Sequence, residues 1–373
     1  MQIKTKEFKE VATAILLAVN ESAANLELVV KDGNLRLNVT NKEYFVSKIL
    51  PLEKPEEFHA VVNAQLFLNL ISAITADTFE LTIKDNTVLI KVGKSKYKAP
   101  MIYENDSLMV LSPIVIGNVT ITMPVSKDIL QSILNVNSKE LLKVKNLDVN
   151  ELQKLYYIDE TGCFTFTTGA TLNSFTLEKP IKLLLNDRIV KLFKLFNEDV
   201  TLFYGVDALA DGTVQTKVAF TTHDTYVSAI INCDDLLINK VQGPCAATKN
   251  FIKETYINHL VVSSTELANA VSRLMLFTKN SNKNQNMRFI PVKVTFTQDE
   301  FILTDSLENS EVVAIESDSY VDASYSMDIN LSDLKLVLDS CKGDHITINC
   351  GNHRSVVINH GNISNLIPES TQN

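Results

Sequence analysis

The sequence lacks a long apolar run and a secretion signal. No stretch approaches the roughly 20 consecutive apolar residues of a membrane-spanning helix. The start, MQIKTKEF, has no apolar core of the kind found in signal peptides. The five cysteines are odd in number and not closely spaced, which is typical of reduced thiols in a cytosolic protein. We therefore expect a cytoplasmic protein with no membrane partner.

Motifs for common chemistries are also absent. The chain has no phosphate-binding GxxxxGK[ST], no dinucleotide-binding GxGxxG and no zinc-protease HExxH. Thr222-His223-Asp224 could suggest proton transfer, but neighbours on a strand point to opposite faces, so we interpret this stretch as surface. We expect no enzymatic activity, no catalytic residues, no metal and no cofactor.

One cluster in the sequence superficially resembles a metal site. It consists of Cys341, His345, Cys350 and His353. The spacing C-x3-H-x4-C-x2-H does not match the paired modules that bind one zinc ion. We interpret these residues as buried thiols and surface histidines.

A helix-and-hairpin unit is present three times. In residues 62–92, Phe67, Leu70, Ile71 and Ile74 follow a helical period, and Asp85-Asn86 then turns one alternating strand back into another. The same pattern returns at 184–205 and at 329–359. Spacings of this length indicate repeated domains and exclude a short-repeat solenoid.

A second repeated unit, a strand followed by a helix, gives the same count. The predicted N-caps are Thr5, Ser126 and Ser264, each followed by an amphipathic helix with an acidic residue in its first turn. The fold class is therefore α+β, with three tandem domains that each pack two helices on antiparallel sheets. We place the domains at 1–120, 121–248 and 249–373, and we interpret 243–254, GPCAATKNFIKE, as the second linker.

Charge is segregated between the predicted helices and the rest of the chain. The net charge is −9, yet the predicted helical segments hold sixteen Lys and Arg against ten Asp and Glu. One interpretation is that these are ordinary solvated helix faces. The other is that the helices line a common surface that meets phosphate. No aromatic residues interleave with the basic ones, so base-specific recognition is not expected.

The order of several short motifs points to a family. These are the helix and hairpin of 62–92, the closing strand Gly93-Lys94-Ser95-Lys96-Tyr97, the turn FTTGATL at 166–172 and the ending SNLIPES at 364–370. Together they resemble the bacterial DNA polymerase III β subunit, the sliding clamp, over essentially the whole chain. The resemblance implies a homodimeric ring around double-stranded DNA that ignores base sequence, tethers a replicative DNA polymerase and works with a clamp loader.

The resemblance also implies three sets of site residues. The DNA-facing set is Lys6, Lys9, Lys127, Arg188, Lys191, Lys194, Arg273, Lys279 and Lys335. The partner-peptide cleft would comprise Leu152, Thr167, Gly169, Leu172, Lys240, Val241, Ser355, Leu366, Ile367 and Pro368. The dimer interface would include Leu108, Leu276 and Phe277.

The sequence also departs from the family pattern. The turn at 167–172 lacks the usual acidic, His and Arg members, and Glu369 to Asn373 extend the tail beyond the proline. We therefore expect a divergent, phage-encoded member. Two alternatives stay open: a clamp-like peptide-binding scaffold that does not encircle DNA, and an enzyme whose site these patterns miss.

Overall fold

The computed structural model describes residues 1–20, 24–135, 155–166, 169–231, 233, 235–281, 290–322, 324–341 and 343–370. It divides into two compact units. The first unit is Met1–Gln131 with Arg188–Asn232, and the second is Ser132–Asp187 with Cys233–Asn373. Within the described ranges, no helix is both long and apolar enough to cross a membrane.

The helices of the described residues occupy both units. They are α1 (Thr5–Leu16), α2 (Ala64–Ala73), α3 (Lys127–Asn135), α4 (Asp187–Lys191), α5 (Asp235–Lys253), α6 (Ser264–Ser281) and α7 (Leu331–Ser340), and a 3-10 turn, Leu192–Leu195, follows α4 directly.

The first unit is built on antiparallel sheets. Its strands are β1 (Gln2–Lys4), β2 (Asn25–Lys31), β3 (Asn34–Thr40), β4 (Tyr44–Pro51), β5 (His59–Asn63), β6 (Thr78–Lys84), β7 (Thr87–Val92), β8 (Ser95–Pro100), β9 (Tyr103–Glu104), β10 (Ser107–Leu108), β11 (Val119–Val125), β16 (Val200–Ala208), β17 (Val214–Thr221) and β18 (Thr225–Ile231). They form a four-stranded sheet in the order β1-β6-β7-β8, the pair β9-β10 and an eight-stranded sheet in the order β11-β16-β17-β18-β4-β3-β2-β5.

The second unit repeats this plan. Its strands are β12 (Leu155–Asp159), β13 (Gly162–Phe166), β14 (Ala170–Ser174), β15 (Leu183–Asn186), β19 (Asn258–Ser263), β20 (Pro291–Phe296), β21 (Glu300–Asp305), β22 (Ser310–Ala314), β23 (Tyr320–Val321), β24 (Tyr325–Asn330), β25 (His345–Cys350), β26 (Ser355–His360) and β27 (Ile363–Pro368). The sheet orders are β15-β12-β13-β14-β27-β26-β25-β19-β23 and β22-β21-β20-β24.

The predicted α+β class is confirmed, and local chemistry explains much of it. Asp85 and Asn86 have positive φ of 49° and 57°, and Asp32 and Gly33 have 53° and 77°. Two consecutive left-handed residues give the type I′ turn, whose twist matches that of the flanking strands. The hairpin β6–β7 therefore forms where the sequence predicts it, and β2–β3 is a second hairpin with the same kind of turn.

The core of the first unit lies between its helices and sheets. Phe8 of α1 meets Phe67 of α2 and Phe79 of β6 edge-on, with ring centroids 6.2 and 5.4 Å apart. All three rings are buried. The helical period that predicts this face is confirmed for Phe67 and Ile71, which are fully buried.

Two of the three predicted N-caps need correction. Ser126 does cap α3, since its hydroxyl accepts the backbone N–H of Ile129 at 3.3 Å. Thr5 is instead the first residue of α1, with Lys4 in the cap position. In α6 the cap is Ser263, which accepts from Glu266, whereas Ser264 donates to the Gly343 carbonyl.

In the helix-and-hairpin unit, an asparagine directly precedes the helix in all three copies. Asn63 accepts the N–H of Leu66 at 2.9 Å, and Asn330 accepts that of Ser332 at 3.2 Å. Asn186 stands at the matching place before α4. An asparagine directly after an apolar strand, found three times, is a signal of the repeat that the sequence analysis does not use.

The predicted linker at 243–254 is wrong, because these residues belong to α5 except for the last. Pro244 lies inside this helix. The buried residues Ile238, Val241, Cys245 and Thr248 follow a helical spacing on one face. Burial of that face outweighs the helix-breaking tendency of Gly243-Pro244.

The three-domain division stays a prediction. The structure shows that both large sheets run without interruption across the predicted boundaries, through β18–β4 in the first unit and β14–β27 in the second. The sheets are therefore shared between neighbouring repeats.

A carboxylate fixes the segment that follows the first repeat. Asp207 accepts the N–H groups of Gly117 and Asn118 at 3.0 and 2.8 Å, and its Oδ2 accepts from Lys217 Nζ at 2.8 Å. Lys217 also donates to the Val115 carbonyl at 2.9 Å. The hydrogen bond from Lys217, followed by those from the two backbone N–H groups, lowers the pKa of Asp207 to about 2.

We expect D207N to lower thermal stability at neutral pH and to remove part of its acid sensitivity. Because the folded-state pKa of Asp207 is depressed, its contribution is present above the unfolded value near 3.8 and is lost as pH falls toward about 2. Melting temperatures of wild type and D207N between neutral pH and pH about 2 check this. The two curves should converge at the acid end, and a constant gap would contradict the assignment. D211N is a matched control, since Asp211 bonds only within its own turn.

Candidate functional site

In the second unit, α5 covers one face of the nine-stranded sheet. Strand residues alternate between faces, so Phe164, Leu172 and Leu366 point to the same side. We call the apolar group under α5 the α5 cluster. Its buried members are Tyr157, Phe164, Ala170, Leu172, Leu184, Ile238, Val241 and Cys245, and Leu155, Phe166, Cys233, Leu237, Ile252 and Leu366 are partly buried against it.

Polar contacts hold α5 in place over the sheet. Lys249 Nζ lies 2.7 Å from both Asp159 Oδ2 and Thr161 Oγ1, in the β12–β13 turn. Burial alone would raise the pKa of Asp159, but hydrogen bonds from Lys249 and Thr161 outweigh it and hold that pKa below its usual value. The carboxylate is therefore charged at neutral pH, and the ion pair fastens the C-terminal half of α5.

Gly169 permits an unusually close approach between β14 and β27. A Cβ at this position would lie 1.8 Å from the Leu366 carbonyl oxygen and 3.1 Å from Cδ of Pro368. Any side chain would force these two segments apart. Gly169, Leu366 and Pro368 therefore form one continuous rim beside the α5 cluster.

The structure brings most of the predicted cleft residues together. Leu172, Val241 and Leu366 belong to the α5 cluster, Gly169 and Pro368 lie on its rim, and Ser355 pairs with Pro368 across β26–β27. Lys240 is exposed on α5. Leu152 and Thr167 lie outside the described residues.

Ile367 does not face this cluster. It is 3% exposed and packs into the core formed by α6, α7 and the opposite face of the same sheet. The reason is strand alternation, which turns Ile367 away from its neighbours Leu366 and Pro368. The sequence analysis assigns all three residues to one surface, whereas only two of them can share it.

Basic side chains lie on helices of the first unit. α1 contacts both α2 and the 3-10 turn, so Lys6 and Lys9 are carried on a helix next to the one that carries Lys191 and Lys194. Lys6 and Lys194 are exposed. Arg188 Nη1 lies 3.3 Å from Glu43 Oε1 and is partly neutralised.

Lys127 occupies the start of α3 in the first unit. Its side chain is exposed, and its backbone N–H donates to the Asp199 carboxylate at 2.8 Å. An acid at this position stabilises the helix N-terminus. It also places a negative charge near this predicted DNA-facing lysine.

In the second unit, α6 and α7 pack on each other and carry further basic residues. Arg273 makes two hydrogen bonds to Glu311, at 2.9 and 2.6 Å, and Lys335 lies 3.1 Å from Asp339. The Arg273 hydrogen bonds lower the pKa of Glu311. The side chain of Lys279 lies outside the described residues. Several predicted DNA-facing cations thus already have carboxylate partners.

Two strands at sheet edges carry charged residues of opposite sign. β8, at the edge of its sheet in the first unit, presents Lys96, Tyr97 and Lys98 to solvent, with Tyr97 41% exposed. β22, at the edge of its sheet in the second unit, carries Glu311 and a 51% exposed Val312. The predicted closing strand at Gly93–Tyr97 overlaps β8 but is not assigned to an interface, and β22 is not predicted. Lysines at alternate positions of a strand are a signal that could have marked β8 as an edge.

Exposed apolar residues accompany these edges. Leu276 and Phe277, near the end of α6, are 63% and 58% exposed, and α6 packs against β22. Leu66 on α2 is 57% exposed in the first unit. Leu108 is only half-buried and belongs to the short β9–β10 pair. Large apolar side chains held in solvent by a helix are typical of an interface.

The two groups of polar residues that could suggest metal binding or proton transfer do not belong to the α5 cluster. Glu198, His223 and Asp224 offer ligand atoms within 4.8 Å of one another. His223 already bonds Glu198 at 2.5 Å, and Asp224 bonds Lys48 at 2.9 Å. An ammonium group this close disfavours a metal cation, so we interpret the group as an ion-pair network on a turn.

The Cys and His cluster of the third repeat is divided between core and surface. Cys350 is fully buried and Cys341 is half-buried, whereas His345 and His353 are exposed. The prediction of buried thiols and surface histidines is therefore confirmed for Cys350 and for both histidines. The His353 ring packs edge-on against Phe251, with ring centroids 4.7 Å apart, and its Nε2 lies 2.7 Å from the Glu254 carboxylate.

Comparison with known proteins identifies the first repeat. Residues 4–107 match the family model described as DNA polymerase III beta subunit, N-terminal domain. A search of curated proteins gives no significant match.

Solved structures resemble the whole chain. The Pseudomonas aeruginosa DnaN sliding clamp bound to griselimycin is 14% identical with a TM-score of 0.79, and the match covers 100% of this chain and 99% of that one. The beta subunit of Thermotoga maritima is 16% identical with a TM-score of 0.73, at the same coverage. The Helicobacter pylori beta clamp bound to a DNA ligase peptide is 15% identical, also with a TM-score of 0.73 and the same coverage.

These comparisons confirm the resemblance drawn from the sequence motifs, and the low identities fit a divergent member. Residues 4–107 match the DNA polymerase III beta subunit N-terminal domain family, and the chain as a whole has the fold of the DNA polymerase III beta sliding clamps.

Proposed function

We propose that this protein is a DNA polymerase processivity factor. Two copies would close into a ring around duplex DNA and tether the replicative polymerase and other partners that carry a binding peptide. The observation that carries the proposal is the match of the fold to sliding clamps over the full length of both chains. A tether of this kind needs no chemistry of its own, so the proposal includes no catalytic activity.

Ring closure is supported by the two sheet edges. β8 of one copy would pair with β22 of the other, which would bring Lys96 and Lys98 close to Glu311, the partner of Arg273. Each copy contributes one edge of each kind, so two copies make two equal contacts and leave neither edge open. Leu276 and Phe277 would supply apolar area beside the strands.

DNA contact is supported by the basic helices. Within the described part of the chain, Lys6, Lys9 and Lys194 form no ion pair and are the strongest candidates for phosphate contact. A closed ring holds DNA by topology, so a modest, sequence-blind phosphate attraction is sufficient. Loose attraction also allows the ring to slide.

Peptide binding is supported by the rim of the α5 cluster. Leu366 is half-buried and Pro368 is exposed, so apolar side chains remain available beside the strand ends. The Helicobacter pylori clamp is described as bound to a DNA ligase peptide. We propose that this chain accepts peptides of replication proteins at the same place in the fold, and that a clamp loader opens its ring.

Location and origin belong to the same proposal. A replication factor of this kind would act in the cytoplasm on the DNA of its cell or virus. The identities of 12–16% to bacterial clamps fit a phage-encoded protein.

Particle shape and retention on DNA test the proposal. We expect negative-stain images to show a ring with a central opening, and gel filtration to show that protein loaded onto nicked circular plasmid by a clamp loader is retained there in high salt. Linearising the plasmid should release it, because a ring slides off a free end. A monomer of 41.6 kDa without an opening would contradict the ring.

The second candidate is a clamp-like scaffold that binds peptides without encircling DNA. The pairing of Arg188, Arg273 and Lys335 with carboxylates favours it, because these cations are partly neutralised. A protein that binds partner peptides but is released equally from circular and linear DNA would be this scaffold.

A further inference from the structure

An ion pair fastens the chain immediately after the cleft rim. Arg354 makes two hydrogen bonds to Glu369: Nη2 lies 2.6 Å from Oε1, and Nε contacts Oε2. The backbone N–H of Glu369 donates to the Arg354 carbonyl at 2.9 Å. The next residue, Ser370, donates its N–H to the Asp328 carbonyl of β24 at 2.8 Å. Side-chain and backbone contacts thus converge on residues 369 and 370.

The fastening acts on the residue beside it. Pro368 pairs with Ser355 across the two strands but has no N–H group to donate a hydrogen bond. The hydrogen bond from the Glu369 N–H to the Arg354 carbonyl therefore holds this end of β27 to β26. Alternation places Pro368 on the same side as Leu366, and Glu369 on the side of Ile367. The anchor and the rim therefore lie on opposite faces of one strand.

The two partners of the ion pair are unequally exposed. The Glu369 side chain is only 11% exposed, whereas that of Arg354 is 82% exposed. Tyr325 of β24 lies close enough that the charges of Glu369 and Arg354 both affect it. The hydrogen bond from Arg354 lowers the pKa of Glu369, so the carboxylate stays charged throughout the neutral range.

We propose that Arg354 and Glu369 form a latch that positions Leu366 and Pro368 for partner-peptide binding. This inference rests on the peptide-binding function proposed above. The latch residues do not belong to the α5 cluster, and they act by keeping the rim in its binding geometry before the peptide arrives. A preformed rim spares the peptide the entropy cost of ordering it.

A charge-swap cycle tests the latch. The variants are R354E, E369R and the double variant R354E/E369R, with L366A as a variant of the rim itself. The probes are griselimycin and the DNA ligase peptide of the Helicobacter pylori complex, which occur in the clamp structures compared above. Each single reversal should weaken probe binding about threefold to tenfold, and the swap should restore it to within about twofold.

Matched controls and the other outcomes keep the two proposals separate. E80K breaks an exposed ion pair with Lys91 on the β6–β7 hairpin and should leave probe binding unchanged. If wild type and L366A bind equally or neither probe binds, the peptide cleft fails, and the latch fails with it. If L366A weakens binding but the single reversals do not, only the latch is overturned. Weak binding by the double variant, with a lowered melting temperature, would show a merely structural role and also overturn the latch.

Discussion

The double variant L276D/F277D is expected to be a monomer at concentrations where the wild type is a dimer. Both side chains are more than half exposed at the end of a helix that packs against the open edge strand β22. Carboxylates at these positions would have to lose water in the interface without a partner. We expect dimer affinity to fall by at least about 100-fold.

Sedimentation equilibrium over a range of protein concentrations measures this change. Val214, which is 70% exposed on the β16–β17 hairpin, provides a control, since V214D also places a carboxylate at an exposed apolar position, on a strand that is not one of the two edges. V214D should dimerise like wild type. A dimer that survives L276D/F277D would place the interface elsewhere and remove the support for β8–β22 pairing.

Reversing three helix lysines in K6E/K9E/K194E should weaken binding to duplex DNA and flatten its salt dependence. Each lysine that contacts phosphate contributes about 0.9 to the slope of log affinity against log salt. The slope should therefore become shallower by about 3, independent of DNA sequence. Fluorescence anisotropy with a short labelled duplex over a series of salt concentrations measures both quantities.

Strand and turn lysines supply a control with the same change in net charge. Lys31, Lys54 and Lys84 are exposed in the same unit but lie outside its helices. K31E/K54E/K84E should lose much less affinity and keep its salt slope. Equal losses in the two triple variants would mean that only net charge matters, and the basic helices would no longer be assigned to DNA.

The sequence predicts the fold well where one local rule decides the structure. The face around Phe67 follows the helical period, and Asp85-Asn86 makes the turn that its residue types favour. Prediction fails where tertiary packing decides. Residues 243–253 are helical because α5 buries one face on a sheet that the local sequence does not reveal.

The site residues show the same division. The positions of Gly169, Leu172 and Leu366 follow from motif order alone, but the opposite orientation of Ile367 depends on which face of β27 meets α5. The carboxylate partners of Arg188 and Arg273 are 145 and 38 residues away in the chain. Their neutralisation therefore cannot be seen in a count of charges along helices.

The sheets shared between repeats restrict how such a protein can evolve. The middle repeat contributes β18 to a ladder completed by β4, and β14 to a ladder completed by β27. Removing that repeat would leave β4 and β27 as unpaired edge strands, and both could pair with other chains and aggregate. Gene rearrangements that move single repeats should therefore be selected against, and the three copies should be inherited together while their surfaces diverge.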